Sequence, residues 1–209
     1  MMQSIRYKLF ELIIIFIVIP VSFILDYSPL LKLIIGFLGF AYILYLLIKV
    51  EKNTFKITKN IEWKNFWKVT LIKFFSIIII TIIFVWSTDK ANLFNVVLNK
   101  PKLWLLILLF YSIFSVYPQE LLYRTFFFKR YEALFKNEKL FIFINALLFS
   151  VAHLLFKNTL VLLLTFIGGI LFAYTYKKTR STLLVSIEHS IYGCWLFTVG
   201  MGSMLGFPS

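Results

Sequence analysis

The stretch TLVLLLTFIGGILFAYTY, residues 159–176, holds no charged side chain and ends against Lys177 and Lys178. A helix needs about 20 apolar residues to cross the hydrocarbon of a bilayer, so this segment reads as a membrane span closed by basic residues. Six further stretches read the same way: residues 9–25, 30–49, 67–87, 102–118 with a continuation, 139–157 and 182–201. Pro29, Pro101 and Pro118 suit helix starts, where the missing N–H of proline would have no partner anyway. Seven spans predict an all-α fold, a polytopic transmembrane helical bundle.

The composition of the chain agrees. Of its 209 residues 61% are hydrophobic and 15% charged, Phe fills 25 positions, and the mean hydropathy is +0.89. A soluble domain is about a quarter charged, and so many apolar side chains exceed what one compact core hides. Disorder, which goes with low hydrophobicity, is excluded from the other side. Cys194 is the single cysteine, so no internal disulfide forms, and no Cys/His pair has zinc-finger spacing. The first apolar stretch runs into Asp26-Tyr27-Ser28-Pro29 without a small-residue cleavage site, which marks a retained span rather than a signal peptide.

The net charge is +13. In a membrane chain this reports loop charge that sets orientation rather than nucleic-acid binding. With the N-terminus in the cytoplasm, sixteen of the 22 Lys and Arg residues fall on the cytoplasmic side, Lys73 and Arg130 among them. Lys32, Lys90, Lys100, Lys102 and Lys157 fall on the other side, and Arg124 lies within the membrane. That bias fits the positive-inside rule. The polar loop 50–66 carries lysines expected to anchor on anionic lipid heads.

The ionisable groups left within spans are Glu11, Glu120, Arg124, His153, Glu188 and His189. A charge near the bilayer centre costs at least about 2–3 kcal/mol, so such groups are candidate functional residues. Glu11 is close enough to a span end to reach the interface and is set aside. The other five lie in the C-terminal half and include both histidines of the chain. Glu120 and Arg124, four apart, share one helix face, so Arg124 is expected to neutralise and orient Glu120. His153 lies on the next span and His189 on the last. A carboxylate and two imidazoles on three helices converge only if those helices pack together, and Gly168 and Gly169 would let backbones approach closely. Glu188 points about 100° away from His189 on the same helix and is read as an interface residue.

Such a triad supports two kinds of chemistry. Glu120, His153 and His189 match a zinc site with an open fourth position. With no cofactor, the carboxylate is a general base for water and an imidazole steadies the developing oxyanion. Both schemes end in water attacking a carbonyl, and the residues alone do not choose between them.

These residues also carry a family resemblance. The region from about Leu103 to Phe197 resembles the CPBP family of intramembrane proteases, which includes type II CAAX prenyl endopeptidases and Abi proteins. The family pattern is Glu-Glu-x-x-x-Arg, then Phe-x-x-x-His, then His-x-x-x-Asn or Asp. Here it reads Gln119-Glu120-x-x-x-Arg124, then Phe149 to His153, then His189-x-x-x-Gly193. The resemblance implies peptide-bond hydrolysis close to the membrane, with a glutamate and the motif histidines acting on water and the scissile carbonyl. It also implies a protease core over residues 101–209, with motif-free spans over 1–100. Two positions depart from the pattern. Gln119 stands where the family has its first glutamate, and an amide cannot accept a proton from water at neutral pH. Gly193 stands where an amide or carboxylate would help His189 hold an oxyanion.

The expectation is therefore a membrane-embedded endopeptidase with catalytic Glu120, His153 and His189, oriented by Gln119 and Arg124. Its partners would be the lipid bilayer and a peptide or protein substrate near the membrane, with no nucleic acid. Its location would be a bacterial plasma membrane. The alternative is a catalytically inactive relative that binds a peptide or partner through the same cavity. A proton-relay transporter is disfavoured because inverted repeats are lacking. On straight helices Glu120 falls near the cytoplasmic end of its span and His153 toward the opposite side. A break at Pro118 is therefore expected, with 118–136 as a separate helix, which is tolerated at membrane depth where it lines a cavity.

Overall fold

The computed structural model describes residues 2–53 and 61–206, and among these residues every regular element is helical. In chain order they are α1 (5–22), α2 (Pro29–Val50), α3 (Trp63–Thr88), the short α4 (Asn95–Asn99), α5 (Pro101–Leu134), α6 (Glu138–Phe156), α7 (Thr159–Thr179) and α8 (Thr182–Val199). Six of them, α2, α3, α5, α6, α7 and α8, are long and apolar enough to cross a membrane. The chain is thus a multi-pass membrane protein with an all-α bundle fold. The seventh expected span, 9–25, is helical over α1, but Arg6, Lys8 and Glu11 interrupt its apolar run and it is not among the six. The membrane exposure is plain along α3, where Leu71, Ile72, Phe75, Ile79, Ile80 and Ile83 all face outward. Outside lipid such a surface would drive aggregation.

Local chemistry sets the helix ends. The Asn137 side chain caps α6 by accepting from the Leu140 N–H at 3.1 Å, and Ser181 caps α8 through the Leu184 N–H at 3.3 Å. Gly200 ends α8 at φ +107°, a conformation that suits glycine, and a Cβ there would lie 2.1 Å from the Asn92 carbonyl oxygen. Residues 54–60 of the polar loop, with Lys56 and Lys59, lie outside the described residues, so the lipid-anchor expectation is not met or missed there.

The break expected at Pro118 does not form. Pro101–Leu134 is one continuous helical run. Its hydrogen-bond ladder widens to π-helix over Tyr111–Val116 and again over Leu121–Phe126. A proline inside an α-helix removes one bond and presses its ring on the preceding turn. The wide turn just before Pro118 absorbs that ring, and single π turns of this kind recur at functional sites.

The chain divides into two compact units. One comprises Met1–Lys56 and Leu121–Lys178, the other Ile57–Glu120 and Thr179–Ser209. In the first, the Phe16 ring is fully buried, with Tyr123 and Phe127 edge-on at 5.3 and 5.1 Å. Gly169 of α7 sits on the backbone of α6, where a Cβ would be 2.9 Å from the Ala146 Cα. Gly169 thus provides the close approach expected of the glycine pair, whereas a Cβ on Gly168 would meet only the Phe172 ring of its own helix. In the second unit α8 packs on α3: the Trp195 indole N–H donates to Thr81 Oγ1 at 2.8 Å, and Phe74 meets the Trp195 ring edge-on at 5.8 Å.

Three charged residues that the sequence set aside or placed in loops, Glu11, Arg130 and Lys73, pack within the helices. Glu11 does not face outward: it is 4% exposed and gathers four donors. Arg130 Nε and Nη2 donate to it at 2.8 and 3.1 Å, the Tyr131 hydroxyl at 2.7 Å and the Tyr42 hydroxyl at 2.9 Å. Arg130, assigned to the cytoplasmic loops, is itself buried and also bonds Glu51 at 2.7 Å and the Met2 carbonyl at 2.7 Å. The network satisfies both charges, which is the condition for burying them. Lys73, also assigned to the loops, lies within α3 and donates to Glu188 at 2.8 Å.

Candidate active site

The second unit brings two of the expected site residues together. Glu120 ends the part of α5 that belongs to this unit, and His189 lies in the middle of α8. His189 Nδ1 is 2.7 Å from Glu120 Oε1. Both are buried: Glu120 shows no exposed surface and His189 is 6% exposed. A carboxylate oxygen accepts, so Nδ1 carries the proton, and the Nε2 of a neutral ring is left as the acceptor. Nε2 lies 3.1 Å from the Tyr111 hydroxyl, which also packs edge-on against Phe197 at 4.9 Å. The result is a chain of carboxylate, imidazole and phenol.

Position along α8 decides which side chains join this chain. His189 and Gly193, one turn apart, face Glu120 and Tyr111 of α5. Glu188 and Tyr192 lie on the neighbouring strip and face α3: Glu188 Oε1 accepts from Lys73 and from the Tyr192 hydroxyl at 2.9 Å, and that hydroxyl also reaches the Thr70 carbonyl at 3.1 Å. The interface role expected for Glu188 is therefore that of a buried carboxylate paired with a partly exposed lysine of α3. Gln119 does not bond the carboxylate beside it; its amide Nε2 donates to Ser115 Oγ at 2.8 Å, one turn earlier.

Arg124 and His153 belong to the other unit. Arg124 is fully buried, and its Nη1 donates to Asn145 Oδ1 of α6 at 2.6 Å. Its guanidinium lies over the Phe149 ring at 5.0 Å and the Phe172 ring at 5.9 Å, an arrangement that steadies a cation in apolar surroundings. His153 sits in the turn after the regular part of α6. Its Nδ1 donates to the Phe149 carbonyl at 2.8 Å, so a neutral ring presents Nε2 as its basic nitrogen. The Phe149 and Phe156 rings pack against it at 4.9 and 5.9 Å.

Two residues that reading the sequence missed hold these groups in place. Asn145 accepts from Arg124 and donates to the Tyr123 carbonyl at 2.7 Å, with no exposed surface. Tyr111 bonds His189. Both are neutral polar residues inside apolar spans, a signal that a search restricted to ionisable groups passes over.

The donor set bears on a metal as well. A catalytic zinc takes three protein ligands. Glu120 and His189 bond to each other, and among the described residues of their unit no third His, Cys, Asp or Glu gathers with them. The third ligand of the zinc reading, His153, is in the other unit. Within this unit the donors do not make up a zinc site. The Glu120–His189–Tyr111 chain is instead suited to holding and moving a proton.

Comparison with known proteins finds no match among curated proteins and none among solved structures. One family model matches residues 101–195, that of the "Type II CAAX prenyl endopeptidase Rce1-like" proteins. The matched stretch, somewhat under half of the chain, runs from the first residue of α5 to the middle of α8 and contains Tyr111, Glu120, Arg124, His153 and His189. Over this stretch the chain is similar to the type II CAAX prenyl endopeptidase Rce1-like proteins.

Proposed function

We propose that this protein is a membrane-embedded endopeptidase that hydrolyses a peptide bond near the membrane surface. The observation that carries the reading is the buried 2.7 Å bond between Glu120 and His189 within the stretch that matches a peptidase family. The Glu120–His189 pair is the general base in the proposal, the proton settling on Nε2 while Glu120 holds Nδ1–H. A water O–H bond breaks, its proton passes to the Glu120–His189 pair, and the hydroxide adds to the scissile carbonyl carbon. The tetrahedral intermediate collapses with cleavage of the C–N bond, and the proton leaves on the amine. His153, with Nδ1 tied to its own backbone, keeps Nε2 as the nitrogen that its proposed catalytic role would use. Arg124 acts through the backbone and ring contacts that fix the start of its π-helical turn, and Gln119 holds the turn before Glu120 through Ser115.

A second reading rests on Gln119. It occupies the position of the family's first glutamate and its amide is spent on Ser115, so a catalytically inactive relative that binds a peptide or partner is the alternative. We place the protein in a bacterial plasma membrane with a cytoplasmic N-terminus, on its basic loops and simple span pattern. Purified protein in anionic liposomes, given fluorogenic peptides with and without a C-terminal prenyl cysteine, separates the two readings. Cleavage that Glu120→Gln abolishes supports the peptidase. Saturable peptide binding with no turnover, unchanged in Glu120→Gln, supports the binding protein and refutes the peptidase.

A further inference from the structure

Gly193 and Tyr111 are matched in a way that neither the family match nor the motif residues account for. A Cβ placed on Gly193 would lie 2.1 Å from the Tyr111 hydroxyl oxygen and 2.4 and 2.5 Å from the Cε1 and Cζ carbons of its ring. Contacts that short are impossible, so any side chain at position 193 would displace the whole edge of the Tyr111 ring. The space beside His189 that a residue one turn along α8 would fill is therefore filled by a phenol from α5. That phenol ends 3.1 Å from His189 Nε2, while Glu120 holds Nδ1 at 2.7 Å.

We propose that Tyr111 is a catalytic hydrogen-bond donor, supplying from α5 the polar group that position 193 lacks. The proposal rests on the peptidase reading above and assigns a step within it. In the resting chain His189 is neutral: Nδ1–H donates to the Glu120 carboxylate and the Tyr111 O–H donates to Nε2. When water gives up its proton to the Glu120–His189 pair, Nε2 becomes N–H and donates to the Tyr111 oxygen. The phenol proton is then released from its bond to the ring and turns to the oxyanion formed on the carbonyl oxygen. No proton is gained or lost by Tyr111; its hydroxyl reverses direction once as the pair is protonated and once as the amine departs. Gly193 is the position that makes room for this exchange.

The test uses the full chain in nanodiscs. It has only two histidines, so selective 15N-histidine labelling gives two rings, and His153→Gln assigns the remaining signals to His189. Tyr111→Phe is expected to move the His189 Nε2 resonance toward that of a ring without a hydrogen bond, while leaving Nδ1 bonded. In peptide cleavage Tyr111→Phe is expected to lower kcat about 100-fold, the usual effect of losing one oxyanion donor, with KM within about twofold. Gly193→Asn alone is expected to lose activity by displacing the ring. Tyr111→Ala with Gly193→Asn, which clears the ring and supplies an amide, is expected to recover at least about tenfold over Tyr111→Ala, a gain of about 1.4 kcal/mol in the barrier. An unmoved Nε2 resonance, an undiminished kcat in Tyr111→Phe, or no recovery in the double variant would overturn the proposal. If the wild type cleaves nothing and Glu120→Gln changes nothing, the peptidase reading has failed first and the oxyanion role falls with it. An active wild type with an equally active Tyr111→Phe refutes the Tyr111 role alone.

Discussion

Replacing Glu11 by Leu removes the acceptor for two Arg130 nitrogens and two tyrosine hydroxyls at once. Breaking a buried ion pair by taking away one partner costs about 3–5 kcal/mol, because the other charge stays buried. Arg130 would keep Glu51 and the Met2 carbonyl, each at 2.7 Å, which draws its share toward the lower end of that range. The stranded Tyr131 hydroxyl adds about 1 kcal/mol, whereas the Tyr42 hydroxyl keeps Tyr7 at 2.7 Å. The expected loss is therefore about 4 kcal/mol, measured as reversible unfolding of the detergent-solubilised protein by increasing SDS. Glu11→Leu combined with Arg130→Met should be less destabilised than the sum of the two single variants by about 2 kcal/mol or more, since residues in one network do not add. A loss under about 1 kcal/mol for Glu11→Leu, or strict additivity, would show that the network does not hold α1 to the residues after Arg124.

Three further outcomes follow from the packing. Lys73→Met should destabilise more than Glu188→Gln in the same unfolding assay, by about 1 kcal/mol, because Glu188 is fully buried whereas Lys73 is partly exposed and can be hydrated. Gly169→Ala should cost at least about 1 kcal/mol more than Gly168→Ala, because its methyl would meet the Ala146 backbone rather than the edge of a ring. Asn145→Leu should lower stability by about 2–3 kcal/mol by removing the side-chain acceptor of Arg124 Nη1, with Asn145→Asp milder because it keeps that acceptor.

The apolar runs made the spans legible, since about 20 uncharged residues admit little else in lipid. Five of the seven expected spans match helices whose ends agree to within a few residues, as at 30–49 against Pro29–Val50 and 139–157 against Glu138–Phe156. The fourth runs on without a break, because hydropathy does not reveal that π turns will absorb Pro118. The partner of a charge was harder to read. Arg130 and Glu11 are 119 residues apart, and a lysine or arginine near a span end looks the same whether it faces lipid heads or a buried carboxylate. At the site, Glu120 and His189 announced themselves as ionisable groups at depth. Tyr111 and Asn145 did not, since a tyrosine or an asparagine in a span carries no charge that must be explained. Their importance appears only when the helices that face them are in place.

The proposed chemistry depends most directly on Glu120 and His189 acting as one hydrolytic unit. Residues that act as a unit lose activity together rather than in multiplied steps. The direct measurement is kcat/KM for peptide cleavage in liposomes by the wild type, Glu120→Gln, His189→Ala and the double variant, with unfolding curves to show that each is folded. The account predicts losses of about 100-fold or more for each single variant, and a double variant no slower than the slower single one. Single variants that keep wild-type rates, or losses that multiply in the double variant, would contradict it.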